Sequence, residues 1–233
     1  MRILYFLFIL ISPLLISADE VNDPFEEINR KTYEFNESLD TNIVKPVAEV
    51  YSNFPPKVKK GVTNFFNNLE EVDTFINQLL QGKPKESIND LSRFVINTTI
   101  GIGGIFDVAS KMGLQRHEED FGQTLAVWGV GEGPYIMLPF LGPSTLRDTL
   151  SRPVSSFLSV TFHMTEDDVN IALKSIDALE TRERLLDVES LLSGDKYVFV
   201  KDAYIQSMYY EIKDGIDVKD EFVDDMDDFL IDQ

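Results

Sequence analysis

Four consecutive residues, His117, Glu118, Glu119 and Asp120, carry the donor types that hold a divalent cation. Neighbours in sequence point in different directions on a helix or a strand, so the run does not converge on one ion. His163 stands alone and reads as a surface residue or a hydrogen-bonded core one. The glycines give no phosphate loop: Gly101-x-Gly103 leads to Phe106 where a third glycine belongs, and Gly129-x-Gly131-x-Gly133 has the wrong intervals. There is no Gly-x-Ser-x-Gly elbow and no Walker lysine motif. With no cysteine, thiolate zinc sites, disulfides and a Cys nucleophile are excluded. The chain therefore reads as non-enzymatic, with no metal, no cofactor and no catalytic residue expected.

Charge points the same way. Forty Asp and Glu face 21 Lys and Arg in 233 residues, a net charge of −19. Such a surface repels phosphate backbones and argues against nucleic acid as a partner. Hydrophobic residues make up 43% and charged residues 26%, which excludes both a disordered chain and a polytopic membrane protein. Met1-Arg2 precedes Ile3 to Ile16, an uncharged run broken only by Ser12 and Pro13. As a helix that run reaches roughly 21 Å, short of the roughly 30 Å hydrocarbon core of a bilayer. It reads as the apolar region of an export signal over residues 1–18, cut after Ala18, with an uncleaved N-terminal anchor as the alternative.

Beyond the signal the pattern is helical. Asp23 offers a cap and Pro24 a first turn, with Glu26 three residues on. Phe25, Ile28, Thr32, Phe35 and Leu39 then form one narrow apolar stripe. Pro46, Pro55 and Pro56 break the chain. Val58, Val62, Phe65, Phe66, Leu69, Val72, Phe75, Ile76, Leu79 and Leu80 make a wide apolar face that Gly82 and Pro84 end. A helix from Pro84 carries Ile88, Leu91, Phe94 and Val95. A capping box at Thr165 and Asp168 opens another through Val169, Leu173, Ile176 and Leu179, continuing to Leu192 before Gly194. Tyr197, Val200, Tyr204 and Met208 fit helical spacing over 196–214. Without a sustained alternating run or an Asn-Gly hairpin, the class is mostly α.

The centre differs in kind. Gly101 to Phe106 and Trp128 to Pro143 are apolar yet dense in helix breakers; seven of the sixteen residues in the second stretch are Gly or Pro. Loops are normally polar because water satisfies their backbone. An apolar loop must lie inside protein, against lipid or along a cavity. Last, Asp214 to Asp232 holds nine acidic residues and one lysine, an acidic tail over 216–233 that reads as a solvated end or a docking segment for a basic partner.

The order of these residues resembles the MlaA family, also called VacJ, over roughly residues 21 to 215. Asp23-Pro24-Phe25-Glu26, Asn29-Arg30 and Phe35-Asn36 open the match, followed by Asn64 to Leu69 and Asn77 to Lys83. Arg93-Phe94, Asn97, Gly101 and Gly104 to Ala109 continue it. Its most specific part is Asp120 to Leu125, Trp128-Gly129, Gly133-Pro134-Tyr135, Leu138-Pro139, Leu141 to Ser144 and Arg147-Asp148, and Tyr197 to Gln206 closes it. Two features depart from the pattern. Ala18 stands where the family carries an acylated cysteine, so no lipid anchor is expected, and Ser151 and Ser155 replace residues that tend to be Gly and Asp.

The resemblance implies a flat ring of amphipathic helices in the inner leaflet of the outer membrane, spanning 19–215, with a central channel. It implies passage of misplaced phospholipid from the outer leaflet to a periplasmic lipid-carrier protein, which maintains lipid asymmetry, with porin trimers as possible holders of the ring. Phe35, Asn36, Phe121, Trp128, Gly133, Pro134, Tyr135, Leu138, Pro139 and Leu141 are the residues expected to shape that lipid channel. Two rivals remain: a soluble periplasmic lipid-binding carrier, and a structural adaptor that binds porins and moves no lipid.

Overall fold

The computed structural model describes residues 22–164, 166–186 and 194–214. The export signal, the acidic tail, Thr165 and the stretch 187–193 lie outside the described residues, as does the side chain of His163. The described chain is mostly helical, as the spacing predicts.

The first helix, α1, runs Glu26–Leu39. Asp23 does not cap it: the helix starts two residues later, with Phe25 before it and no side-chain cap. The Asp23 carboxylate is drawn across the molecule instead, accepting from Asn29 Nδ2 at 2.8 Å and from the Tyr197 hydroxyl. Nor does Pro46 break the chain. Asp40–Val44 widens into a π-helix that feeds directly into α2, Lys45–Ser52. Proline's ring crowds the carbonyl four residues back and supplies no N–H, and a wider turn relieves both. Arg182 grips the start of the π segment through two bonds to Asp40, at 2.8 and 2.9 Å.

Pro55 and Pro56 do break the helix. The long helix α3, Pro56–Gln81, starts there and ends at Gly82 in the left-handed conformation, φ 77°. Lys83 N–H reaches Gln78 C=O at 2.8 Å and Gly82 N–H reaches Leu79 C=O at 3.1 Å, the two bonds of a Schellman stop. Helix α4, Pro84–Thr99, doubles back beside it. Next come the short α5, Phe121–Val127, and a hairpin of β1, Tyr135–Leu138, and β2, Gly142–Thr145. Then follow α6, Leu146–Leu158, α7, Val160–Met164, α8, Asp167–Arg184, and α9, Lys196–Ile212. The described part of α8 stops at Arg184, and no side chain caps its start.

Which faces are buried is the reverse of a water-soluble bundle. Among the described residues, eighteen polar or charged side chains are buried against eight apolar or aromatic ones, while thirty-three large apolar side chains are exposed. On α3 the buried positions are Phe66, Asn68, Glu71, Thr74, Asn77 and Gln78; on α4 they are Ser87, Asp90, Arg93 and Asn97. The apolar stripe of α4, including Ile88, Leu91 and Val95, faces outward. A soluble protein buries its apolar side because water expels it; an outward apolar side of this extent calls for a covering surface, hydrocarbon or protein. Much of the polar interior is hydrogen-bonded, though some buried atoms, among them Gln78 Oε1 and Gln123 Oε1, have no partner. Arg93 Nε donates to Glu71 at 2.7 Å and Arg93 Nη1 to Leu114 C=O at 2.7 Å, while Asn97 Oδ1 accepts from Val108 and Ala109 N–H.

A smaller apolar cluster joins the two ends of the chain. Tyr135 and Met137 of β1 pack against Tyr197 and Met208 of α9, with Tyr33 of α1 alongside. The aromatic stripe of α9 is therefore a true core face, and Arg30 closes it by lying 4.4 Å over the Tyr197 ring.

Candidate functional site

The breaker-rich centre contains a structure that its sequence does not announce. Tyr135 pairs with Thr145, Ile136 with Ser144, Met137 with Pro143 and Leu138 with Gly142 in an antiparallel ladder. The hairpin uses no Asn-Gly turn, the signal whose absence the sequence shows: a three-residue turn, 139–141, joins the strands, with Phe140 at φ 66° and Gly142 at φ 77°. The outer edge of β1 would present open amides, and α1 satisfies them. Asn29 donates to Tyr135 C=O and accepts from Met137 N–H; Asn36, seven residues on, donates to Leu138 C=O and accepts from Phe140 N–H, all at 2.8–3.1 Å. Two asparagines one heptad apart thus act as a third strand.

Several of the ten residues expected at the channel gather on this hairpin and its supports. Asn36 stitches its edge. Phe35 meets Phe140 edge-on at 5.2 Å. Gly133 holds φ 68°, where a Cβ would come within 3.0 Å of the Leu146 Cβ. Pro134 C=O accepts from Leu146 N–H at 3.0 Å. Tyr135 is fully buried, Leu138 ends β1, and Pro139 and Leu141 lie exposed in the turn. Phe121 and Trp128 form a second group, 6.1 Å apart, with Trp128 Nε1 donating to Leu80 C=O at 3.0 Å.

Beside the hairpin, where α3, α5, α6 and α9 meet, lie two adjoining cavities of about 330 and 270 Å³ that share Asp120, Gln123, Ser155 and Glu211. None of the ten lines either. The walls come from residues the sequence reading did not single out as site residues: Arg147, Asp148, Ser151, Arg152, Tyr204 and Ser207 around the larger, Glu70, Asp73, Thr74 and Asn77 around the smaller. A usable signal exists in hindsight. Asn68, Glu71, Thr74 and Gln78 repeat every three or four residues, a polar stripe where a soluble helix would place its apolar one.

Each wall residue is placed by local structure. Asp120 caps α5 by accepting from Gln123 N–H at 2.7 Å, and Thr145 caps α6 by accepting from Asp148 N–H at 3.2 Å. Tyr204 donates to Asp148 at 2.6 Å, whose other oxygen takes Arg147 Nε at 2.9 Å. The remaining residues of the 117–120 run go separate ways: His117 pairs with Asp90, Glu118 with Arg116 and Glu119 with Lys83.

Carboxylates outnumber cations around the two cavities, where Arg147 and Arg152 are the basic side chains in the lining. Burial pushes the Asp73 carboxyl up to about 6, with Asp120 adding to it. Burial likewise raises Asp120 and Glu211. The sign of the pH effect follows. A carboxyl that holds its proton more tightly when folded adds stability below its unfolded value of about 4, and that stability is lost as pH rises through about 6. Asp73→Asn is therefore expected to stabilise the protein by about 1–2 kcal/mol near pH 7.5, allowing for solvent screening, and negligibly near pH 4. Thermal unfolding in detergent at the two pH values checks it.

Apart from these cavities, the exposed loop of Ile100, Ile102, Ile105 and Phe106 adjoins a groove whose lining includes Lys57, Lys60 and Lys111. Despite the acidic total, this apolar projection is flanked by positive charge.

Comparison with known proteins fits this architecture. Residues 21–211 match the family model described as MlaA lipoprotein. The intermembrane phospholipid transport system lipoprotein MlaA of Escherichia coli is 41% identical over 192 residues, covering 79% of this chain and 76% of that protein. The Haemophilus influenzae protein of the same name is 32% identical over 218 residues, covering 90% and 87%. A solved chain described as "Structural basis for maintenance of bacterial outer membrane lipid asymmetry" superposes with a TM-score of 0.75 at 35% identity, covering 82% of this chain and 99% of that one. Its relatives are called lipoproteins, whereas these 233 residues hold no cysteine to acylate. On the extent of the match and the identity of its relatives, the chain belongs to the MlaA family.

Proposed function

We propose that this protein sits in the outer membrane at its periplasmic face and moves phospholipid between membranes, without breaking any bond. Misplaced outer-leaflet phospholipid enters through a polar passage framed by helices and leaves to a periplasmic lipid carrier, which preserves lipid asymmetry. The observation that carries this reading is the inverted polarity: apolar stripes outside, buried polar residues and a cavity walled mainly by polar side chains inside. Such a body is suited to hydrocarbon around its rim and headgroups in its centre. No helix among the described residues is long and apolar enough to cross a membrane. Thirty-three exposed large apolar side chains weigh against a freely soluble carrier. The apolar faces also suit docking beside porin trimers within the bilayer.

The test is transfer of fluorescent phospholipid from vesicles holding the full chain to delipidated albumin. Wild type is expected to transfer lipid. Gly133→Gln, which puts a long side chain on a left-handed glycine against Leu146, is expected to drop transfer below about a tenth with the far-UV helix signal retained. Transfer unchanged in this variant would make the hairpin ordinary packing; no transfer by wild type would end the reading.

A further inference from the structure

The larger cavity carries information on which headgroup it suits. Two of its polar side chains each bury one atom that has no partner, Gln123 in a buried residue and Arg152 in a partly exposed one. Gln123, 8% exposed, lines both cavities with its Oε1 unpaired, and Arg152 lines the larger with its Nε unpaired. A buried polar group left unmatched costs about 1–3 kcal/mol and so marks a place that something else fills. One of the two is an acceptor and the other a cationic donor. Around the acceptor stand Asp120 and Glu211, each with one oxygen engaged, by Gln123 N–H and by Ser207. Beside the donor stands Arg147, tied through Nε to Asp148. The wall thus offers negative charge with an acceptor on one part and guanidinium on another.

We propose that this cavity recognises the phosphoethanolamine zwitterion of an ethanolamine phospholipid, its ammonium held by Glu211, Asp120 and Gln123 Oε1 and its phosphate by Arg152 beside Arg147. This rests on the lipid-transfer reading and adds a headgroup class to it. The raised carboxyls are consistent with this, because burial leaves Asp120 and Glu211 reluctant to ionise and an incoming ammonium would favour their charged form. A primary ammonium has three N–H donors for these acceptors. A choline headgroup has none and seeks aromatic faces; Tyr204 is the one aromatic lining the larger cavity, and its hydroxyl is held by Asp148. An anionic glycerol headgroup brings a phosphate to Arg152 with no cation for the carboxylates. At about 330 Å³ the space is that of a small-ligand site.

The experiment titrates the full chain in neutral detergent with short-chain phosphatidylethanolamine, phosphatidylcholine and phosphatidylglycerol, and with tail-free glycerophosphoethanolamine. Phosphatidylethanolamine is expected to bind about tenfold tighter than the other two lipids. Glu211→Gln should lower its affinity about tenfold and leave phosphatidylglycerol unmoved, whereas Arg152→Gln should weaken both and Arg152→Lys restore part. Far-UV spectra that match wild type exclude misfolding of these variants. Equal affinity for all three lipids, or a variant series that shifts none of them, overturns the headgroup assignment and leaves lipid transfer standing. Glycerophosphoethanolamine binding as tightly as the lipid would assign the site to a soluble headgroup instead. Absence of binding by every lipid would sink the transfer reading together with it.

Discussion

Arg93→Ala is expected to destabilise the protein by about 3–5 kcal/mol, enough to unfold the pairing of α3 with α4. Arg93 is 1% exposed and its guanidinium ties α4 to α3 and to the stretch 107–114 through four residues. Nε reaches Glu71 at 2.7 Å, Nη1 reaches Ser110 and Leu114, and Nη2 lies 3.4 Å from Asp107. Truncation removes those bonds and strands Glu71, itself 1% exposed. Burial already pushes that carboxyl up to about 7 with Arg93 pulling it back, so without the arginine it must take a proton or remain an uncompensated buried charge. Lysine cannot replace the planar fork that serves several acceptors at once. Replacing both partners, Glu71→Met with Arg93→Met, is expected to cost far less than Arg93→Ala alone, because the fully buried Glu71 charge is gone and only the partly exposed Asp107 loses its long contact. Thermal unfolding of the single and double variants in detergent decides it; a double variant as unstable as the single would show that the pair itself supplies the stability.

A second large effect is expected at the exposed loop. Ile100 and Ile102 are each 64% exposed and Phe106 is 54% exposed. If lipid covers them, each contributes about 1–2 kcal/mol to membrane residence. Ile100→Ser, Ile102→Asn and Phe106→Ser together should then weaken binding to vesicles by about a thousandfold, read by flotation. Stability should not fall with it. Ile102 occupies φ 56°, a left-handed conformation costly for a β-branched side chain and acceptable to asparagine. A triple variant that floats like wild type while keeping its fold would mean this loop does not touch lipid. The neutral replacements keep charge out of the result, which matters beside Lys57, Lys60 and Lys111.

Much of the helical framework is legible in the residues alone, because its boundaries are written by local chemistry. Pro56 and Pro84 open α3 and α4, Gly82 closes α3 with a positive φ, and the Tyr197 to Met208 spacing gives α9. Asp23 and Pro46 mislead for an identifiable reason. Each belongs to a local motif whose rule is overridden from a distance: Asp23 is taken by Asn29 and Tyr197, and the turn before Pro46 is widened and anchored by Arg182. The hairpin lacks an alternating pattern because its open edge is satisfied not by a strand but by amides of Asn29 and Asn36, about a hundred residues away.

What the residue order fixed by itself is the helical class, the absence of thiol chemistry and the presence of apolar stripes, since these depend on neighbours within a turn or two. Which way those stripes face, and what they surround, was settled only by tertiary packing. Periodicity records that one side of a helix is apolar, and it is silent on whether protein or lipid covers that side. The polar cavity is likewise a product of assembly: Asp73, Gln123, Arg152 and Glu211 sit on four helices, and no spacing along the chain encodes their meeting.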